Sequence, residues 1–324
     1  DLIEMENIGS MDTQRNRKRQ RDENKNTHGN VRIISMKRRE VGKRPQSNIN
    51  YHKPFWSKNK NGGKMILDQM TDEPLTKKFF SSMCVTSLLI SGYLHPIEPG
   101  VLPEGLTHLT LCSGYDFPLK PGVLPNSLSY LIIGNYNYPL SAGSLPPNLI
   151  YLEFGKHWDH QIEDLVLPDS LLTLVLGNSW NKPIHCGVLP RNLQTIVFGD
   201  SWNQKLFPGL FPESVTNIRF GREFNFNQQI SSDFFPHNLR SLEFGDKFDQ
   251  SLEFLNIQGN KLPHLNWLKF GSSFNQQLFD LPHNLKTLIL GDSWNQMIRG
   301  FLPRTLQCLA LVNLSHNNYP VYLI

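Results

Sequence analysis

Three histidines recur at corresponding places: His237, His264 and His283 each follow a Phe-Pro or Leu-Pro dipeptide. If the units that carry them stack, the imidazoles form a row at near-contact spacing, able to bind a metal or to titrate near neutrality. The same place in other units holds Glu104, Asn126, Pro147, Asp169, Arg191, Glu213 or Arg304. An exposed turn residue copied with its unit is the simpler reading, and no metal is assigned. Asp200, Asp246 and Asp292 also recur, each directly after a glycine, and their repetition speaks for capping turns rather than for a catalytic carboxylate. The four cysteines, Cys84, Cys112, Cys186 and Cys308, are widely spaced and form no Cys-x-x-Cys pair. That argues against a disulfide framework and against zinc. No phosphate-cradling loop, nucleophile elbow or zinc-protease motif is present, so the chain reads as non-enzymatic and without a cofactor.

The elements that place these residues are repeats. Ten Leu-Pro or Phe-Pro dipeptides mark the units, starting at Leu102, Leu124, Leu145, Leu167, Leu189, Phe211, Phe235, Leu262, Leu281 and Leu302. Most steps are 21 or 22 residues; steps of 24 and 27 point to loop insertions around Phe226–Asp233 and Leu252–Lys261. Aligned on the dipeptide, each unit reads L-P-x-x-L-x-x-L-x-F-G-x-x-(F/W)-N, as in Leu167 to Asn181 (LPDSLLTLVLGNSWN). An aromatic column runs from Tyr115 and Tyr136 through Trp158, Trp180, Trp202, Phe224, Phe248 and Phe274 to Trp294, and an Asp or Asn follows every member.

This pattern resembles the FNIP repeat family, a short leucine-rich-repeat-like unit known from social amoebae and from giant viruses that infect amoebae. The resemblance covers residues 85–324, and Phe224-Asn225 and Phe274-Asn275 carry the family's Phe-Asn pair. It implies a leucine-rich-repeat-like solenoid that binds other proteins. Some relatives place an F-box before the repeats, but residues 65–84 are too short a stretch for that helical domain.

The unit itself dictates a strand. L-x-x-L-x-F alternates with period 2 over its last four positions, as a half-buried strand does. Proline lacks an N–H and suits the strand entrance, and the glycine after the strand (Gly134, Gly155, Gly177, Gly199 and so on) is expected to permit a turn at positive φ. The short return holds proline and glycine, which excludes a long helix. Adjacent rungs then pair as parallel strands about 4.8 Å apart. Leu and Phe rows make the core, the aromatic row an inner spine, and the Asn row satisfies backbone groups of the neighbouring turn. Asp can accept but not donate, so imperfections are expected where it replaces Asn. The expected fold is mainly β: a leucine-rich-repeat-like parallel β solenoid of about ten or eleven rungs over 85–324, with little helix. Residues 65–84 are read as a short helix covering the first rung, with Leu75, Phe79, Phe80 and Met83 on its apolar face, and Leu314 to Ile324 as the closing segment.

Residues 1–64 carry 16 Lys+Arg against 7 Asp+Glu, whereas the remainder carries 16 against 21. Such a basic, aliphatic-poor stretch is expected to be a disordered arm. Its clusters Arg15 to Arg21 and Lys37-Arg38-Arg39 suit nuclear import or weak nucleic-acid contact, and a patch at Tyr51, Phe55 and Trp56 follows. The chain opens on Asp1, with Met11 a candidate start. No apolar run nears the roughly 20 residues of a membrane span. An intracellular, cytoplasmic protein with no membrane partner is expected, in the nucleus if the arm directs it there and in a virion if the chain is viral.

On this register two rows of side chains point away from the core. Tyr130, Ile132, Tyr151, Val175 and Val197 make an apolar and aromatic patch, with Glu153 among them. Arg219, Glu243 and Lys269 make a charged neighbour, with Trp267 beside it. Aromatic anchors next to a charged zone are typical of surfaces that bind proteins, and these ten residues are the expected partner-binding site.

Overall fold

The computed structural model describes residues 63–68, 74–112, 114–222, 227–251, 262–279, 281–296 and 302–311. The chain divides after Asn30 into two units, and every described residue belongs to the second, Val31–Ile324. The expectations for the basic clusters, the Tyr51–Trp56 patch, Phe224-Asn225, the 252–261 insertion and the closing segment lie outside the described residues.

Each repeat contributes one short strand, and all pair in parallel in chain order. β1 is Gly63–Asp68, β2 Val85–Ser91, β3 His108–Leu111, β4 Tyr130–Ile133, β5 Tyr151–Phe154 and β6 Thr173–Val175. β7 is Thr195–Val197, β8 Asn217–Arg219, β9 Ser241–Glu243, β10 Trp267–Lys269, β11 Thr287–Leu290 and β12 Cys308–Leu311. The only helical pieces among the described residues are one turn of α-helix, α1, at Lys77–Phe80, and a 3₁₀ turn at Ser232–Phe234. The described residues thus form a parallel β solenoid almost without helix.

The Leu-Pro dipeptide sets each rung's entrance. The proline carbonyl accepts a hydrogen bond from the amide three residues on, as Pro125 does from Leu128 and Pro190 from Leu193, both at 3.0 Å. This is the i to i+3 closure of a β-turn. The strand that follows is in exact row alignment with its neighbours: Leu131 pairs with Leu152, Leu152 with Leu174, and Leu174 with Ile196. These row members are completely buried.

Residues 65–84 differ from the expected capping helix. Gly63 and Lys64, placed in the arm, open β1, which pairs with β2 in the register Met65–Leu88 and Leu67–Ile90. Exposure alternates along Lys64, Met65, Ile66 and Leu67, ending on a fully buried Leu67. The edge of β2 offers unpaired N–H and C=O groups that a strand satisfies and a helix cannot. α1 remains as a single turn that buries Phe80.

The aromatic column is the inner spine, and its polar tips are satisfied from rung to rung. Trp158, Trp180 and Trp202 donate their indole N–H to the carbonyls of Tyr138, His160 and Lys182 at 3.0, 2.8 and 3.1 Å. In the earlier rungs the column is tyrosine and the polarity reverses. The hydroxyls of Tyr93, Tyr115 and Tyr136 accept from the amides of Leu75, Ile97 and Leu119. Burial pushes the Tyr115 phenol up to about 12, against the opposing pull of that amide.

The strand-end glycines correct the expected positive φ. Gly134, Gly155, Gly177, Gly199, Gly221 and Gly291 are not in the left-handed region. They form a row in which a Cβ at Gly155 would collide with the carbonyl oxygen of Gly134, and one at Gly177 with that of Gly155. The requirement is close backbone approach. Positive φ belongs instead to Gly92 and Gly114, which follow β2 and β3, and to a second row in the return turns, Gly100, Gly122, Gly143, Gly187 and Gly209. Leu165 takes the glycine's place in that row, at φ 64° and 87% exposed.

The amide ladder is also simpler than expected. The side-chain oxygens of Asn181 and Asn275 accept the main-chain N–H one rung on: Asn203 N–H donates to Asn181 Oδ1 at 2.9 Å, and Asn295 N–H to Asn275 Oδ1 at 3.0 Å. Asp159 and Asp249 accept in the same way from Asn181 and Asn275. Only acceptance is needed, so Asp leaves no imperfection. In the unit with the 24-residue step the ladder residue is Asn227, which accepts from Asp249 N–H, rather than Asn225. The tandem Phe-Asn-Phe-Asn allows either choice, but Asn227 keeps the usual eight residues to the next dipeptide, so the insertion lies before the ladder. Asn275→Asp should therefore change stability by less than about 0.5 kcal/mol, while Asn275→Ala costs about 1–2 kcal/mol by stranding the Asn295 amide. Urea unfolding midpoints of the two variants check this.

Candidate partner-binding face

The period-2 strands place every residue of the expected site on one side of the sheet. Tyr130, Ile132, Tyr151, Glu153, Val175 and Val197 are all half-buried and alternate with completely buried core residues. Arg219 is exposed, and Glu243, Trp267 and Lys269 are half-buried. Ile289, which continues this outward row as the register partner of Lys269, is only 5% exposed yet stands outside the core cluster. A branched side chain between the long Lys269 and Ala310 of its register keeps little accessible surface.

Pairing across strands turns the aromatic residues into a stack. Tyr130 and Tyr151 are register partners, with ring centroids 4.1 Å apart and planes 7° from parallel. His108, one strand earlier, stacks on Tyr130 at 5.4 Å. The Tyr151 hydroxyl donates to Glu153 Oε2 at 2.5 Å. Burial first, then the Glu153 carboxylate and Tyr130, hold the Tyr151 phenol far above its usual value. It remains a hydrogen-bond donor at any physiological pH. Further along, Glu243 lies between register neighbours Arg219 and Lys269 and makes an ion pair with each. Such surface pairs contribute little stability individually, but they fix the orientation of three long side chains.

Sequence reasoning grouped Tyr130 with Tyr151 but left His108 out of the patch. Its place in the same row was the available signal. The histidine row is only partly assembled: the rings of His237 and His264 meet edge to face at 5.7 Å, and all three histidines are exposed. Among the described residues no group of three or more His, Cys, Asp or Glu side chains is arranged to hold a metal. Two of the recurrent aspartates serve backbone and neighbouring side chains. Asp246 accepts from Ser272 N–H at 3.1 Å and pairs with Arg222, and Asp200 accepts from the Asn178 amide at 2.6 Å. Burial raises the pKa of the Cys308 thiol. No helix among the described residues is long and apolar enough to cross a membrane.

No curated protein matches the chain. Among solved structures, CroV588, described as a novel circular LRR protein, is similar at 27% sequence identity and a TM-score of 0.38, over 70% of this chain and 50% of that one. This chain thus spans about half the length of that protein. The FNIP Repeat model matches five times, over residues 93–136, 136–179, 180–225, 226–273 and 274–313. With its repeats matched almost end to end, the chain belongs to the FNIP repeat family.

Proposed function

We infer that the chain is a protein-interaction scaffold, not an enzyme, and that it engages its partner on the outward face of β3 to β10. The observation that carries this reading is the Tyr130–Tyr151 stack on an otherwise open sheet face. It is followed without interruption by Val175 and Val197 and then by the Arg219–Glu243–Lys269 group. Stacked tyrosines are costly to leave half exposed, and large aromatic side chains dominate the energetics of protein interfaces. Sheet propensity favours Val175, Val197 and the tyrosines alike, but it does not select His108, which extends the run of rings in that row.

Affinity capture on the immobilised intact chain, followed by quantitative mass spectrometry, supplies partners for the test. The doubly substituted Tyr130→Ala/Tyr151→Ala chain should then bind them about tenfold or more weaker, the usual loss for central aromatic anchors. Lys205→Ala, exposed on the return segment, should bind as the unaltered chain does. Equal binding by all three chains would remove the strand face from consideration.

A further inference from the structure

The aromatic stack on the strand face stops abruptly. His108, Tyr130 and Tyr151 occupy one row on β3, β4 and β5, and the next residue of that row is Thr173 on β6. Its side chain is too short to continue the stack, so among the described residues the Tyr151 ring has an aromatic neighbour on the Tyr130 side alone. A step of one ring's thickness is left above Thr173.

Glu153 stands beside that step, two residues on from Tyr151 along the same strand. Its carboxylate accepts one hydrogen bond, from the Tyr151 phenol, and makes no ion pair among the described residues. The other outward glutamate of this row is in the opposite situation, since Glu243 holds a cation on each side. One half-buried carboxylate of the face is therefore neutralised from within the chain and the other is not. A desolvated, unpaired carboxylate is costly once a partner covers it, unless the partner brings the missing cation.

The shape of the step selects among cations. A guanidinium is planar, weakly hydrated and able to stack on an aromatic ring while its edge donates to a carboxylate. An ammonium can pair with Glu153 but cannot continue a stack of rings. Val175, the register neighbour of Glu153, offers apolar surface to the methylene stem of such a residue. We propose that the step formed by Tyr151, Glu153 and Thr173 receives an arginine side chain of the partner protein, its guanidinium taking the next place in the stack. This rests on the strand face being the binding surface, and it names the chemistry that the surface recognises.

The test uses the intact chain and a library of displayed random heptapeptides. Binders are selected on the unaltered chain and counter-selected on the Tyr130→Ala/Tyr151→Ala chain, so that only peptides depending on the stack survive. Surviving peptides should be enriched in arginine. Synthetic copies should lose about tenfold or more in affinity when that arginine becomes lysine or citrulline, and a similar factor on Glu153→Gln, the loss of one charge-assisted contact. Thr173→Tyr fills the step and should abolish binding, while Lys205→Ala, exposed on the return segment, should leave it within about twofold. Should Thr173→Tyr disturb folding, seen as a lowered unfolding temperature, Glu153→Gln still decides. Peptides that need the tyrosines but carry no arginine and ignore Glu153→Gln would overturn the arginine site while leaving the binding face intact. If no peptide survives counter-selection, the arginine site falls together with the reading on which it rests.

Discussion

Trp202→Ala should lower stability by about 3–5 kcal/mol, whereas Tyr151→Ala should cost about 1 kcal/mol. Both remove a large aromatic ring, and the difference lies in what surrounds it. Trp202 is completely buried, stacks on Phe198 at 4.2 Å, and donates its indole N–H to the Lys182 carbonyl of the preceding rung. Its loss leaves a cavity in the spine and an unsatisfied carbonyl between two rungs. Tyr151 stands half-buried on the outer face, and solvent can occupy the place it leaves. In a body of some 240 residues, 1 kcal/mol corresponds to roughly 2–4 °C. The two variants should therefore differ by about 5 °C or more in thermal unfolding. A solenoid rung is stabilised by its nearest neighbours alone, so the Trp202→Ala transition should also broaden as the rungs of β7 and β8 separate from the rest. Equal unfolding curves for the two variants would contradict the burial described for both residues.

Much of this architecture was legible because stacking copies one local rule many times. Period-2 alternation after each Leu-Pro or Phe-Pro located the ten strands β3 to β12, and the same alternation sorted Tyr130, Ile132, Tyr151 and Glu153 onto the outer face. What escaped were features that depend on the neighbouring rung rather than on the unit itself. β1 has no dipeptide before it, and only the open edge of β2 makes Gly63–Asp68 a strand. The tandem Phe-Asn pairs are equivalent in local sequence and differ only in their spacing to the next dipeptide; the amide of Asp249 selects Asn227 through its register. The stack of His108 on Tyr130 required the pairing of β3 with β4, which spacing suggested but did not weigh. Ile289 alternates as an outward residue should, and its burial arises from neighbours in β10 and β12.

The strand-end glycines illustrate the same point and lead to the second large effect. Read singly, a glycine after a strand suggests a left-handed turn. Read as a row, Gly134, Gly155, Gly177 and Gly199 are the places where successive backbones come closest. Gly177→Ala should therefore destabilise by about 3 kcal/mol or more, at the upper end of overpacking, because the added methyl meets main chain rather than a side chain that can swing away. The carbonyl oxygen in its path belongs to Gly155, which also accepts from Trp158 N–H at 3.4 Å. Moving it would disturb the turn that seats the Trp158 ring in the spine. The Gly177 carbonyl in turn lies where a Cβ of Gly199 would fall, and it accepts from Trp180 N–H at 3.1 Å, so a shift in one rung propagates to the next. Gly209→Ala provides the contrast. Its φ is +82° and nothing lies within 4 Å of an added Cβ, so the cost is the left-handed strain of a single residue, about 1–2 kcal/mol. Leu165 already tolerates that conformation in the corresponding place of another rung. Chemical unfolding of the two alanine variants should give a clearly lower midpoint for Gly177→Ala. Midpoints in the reverse order would mean that turn conformation, and not the contact between stacked backbones, is what these glycines supply.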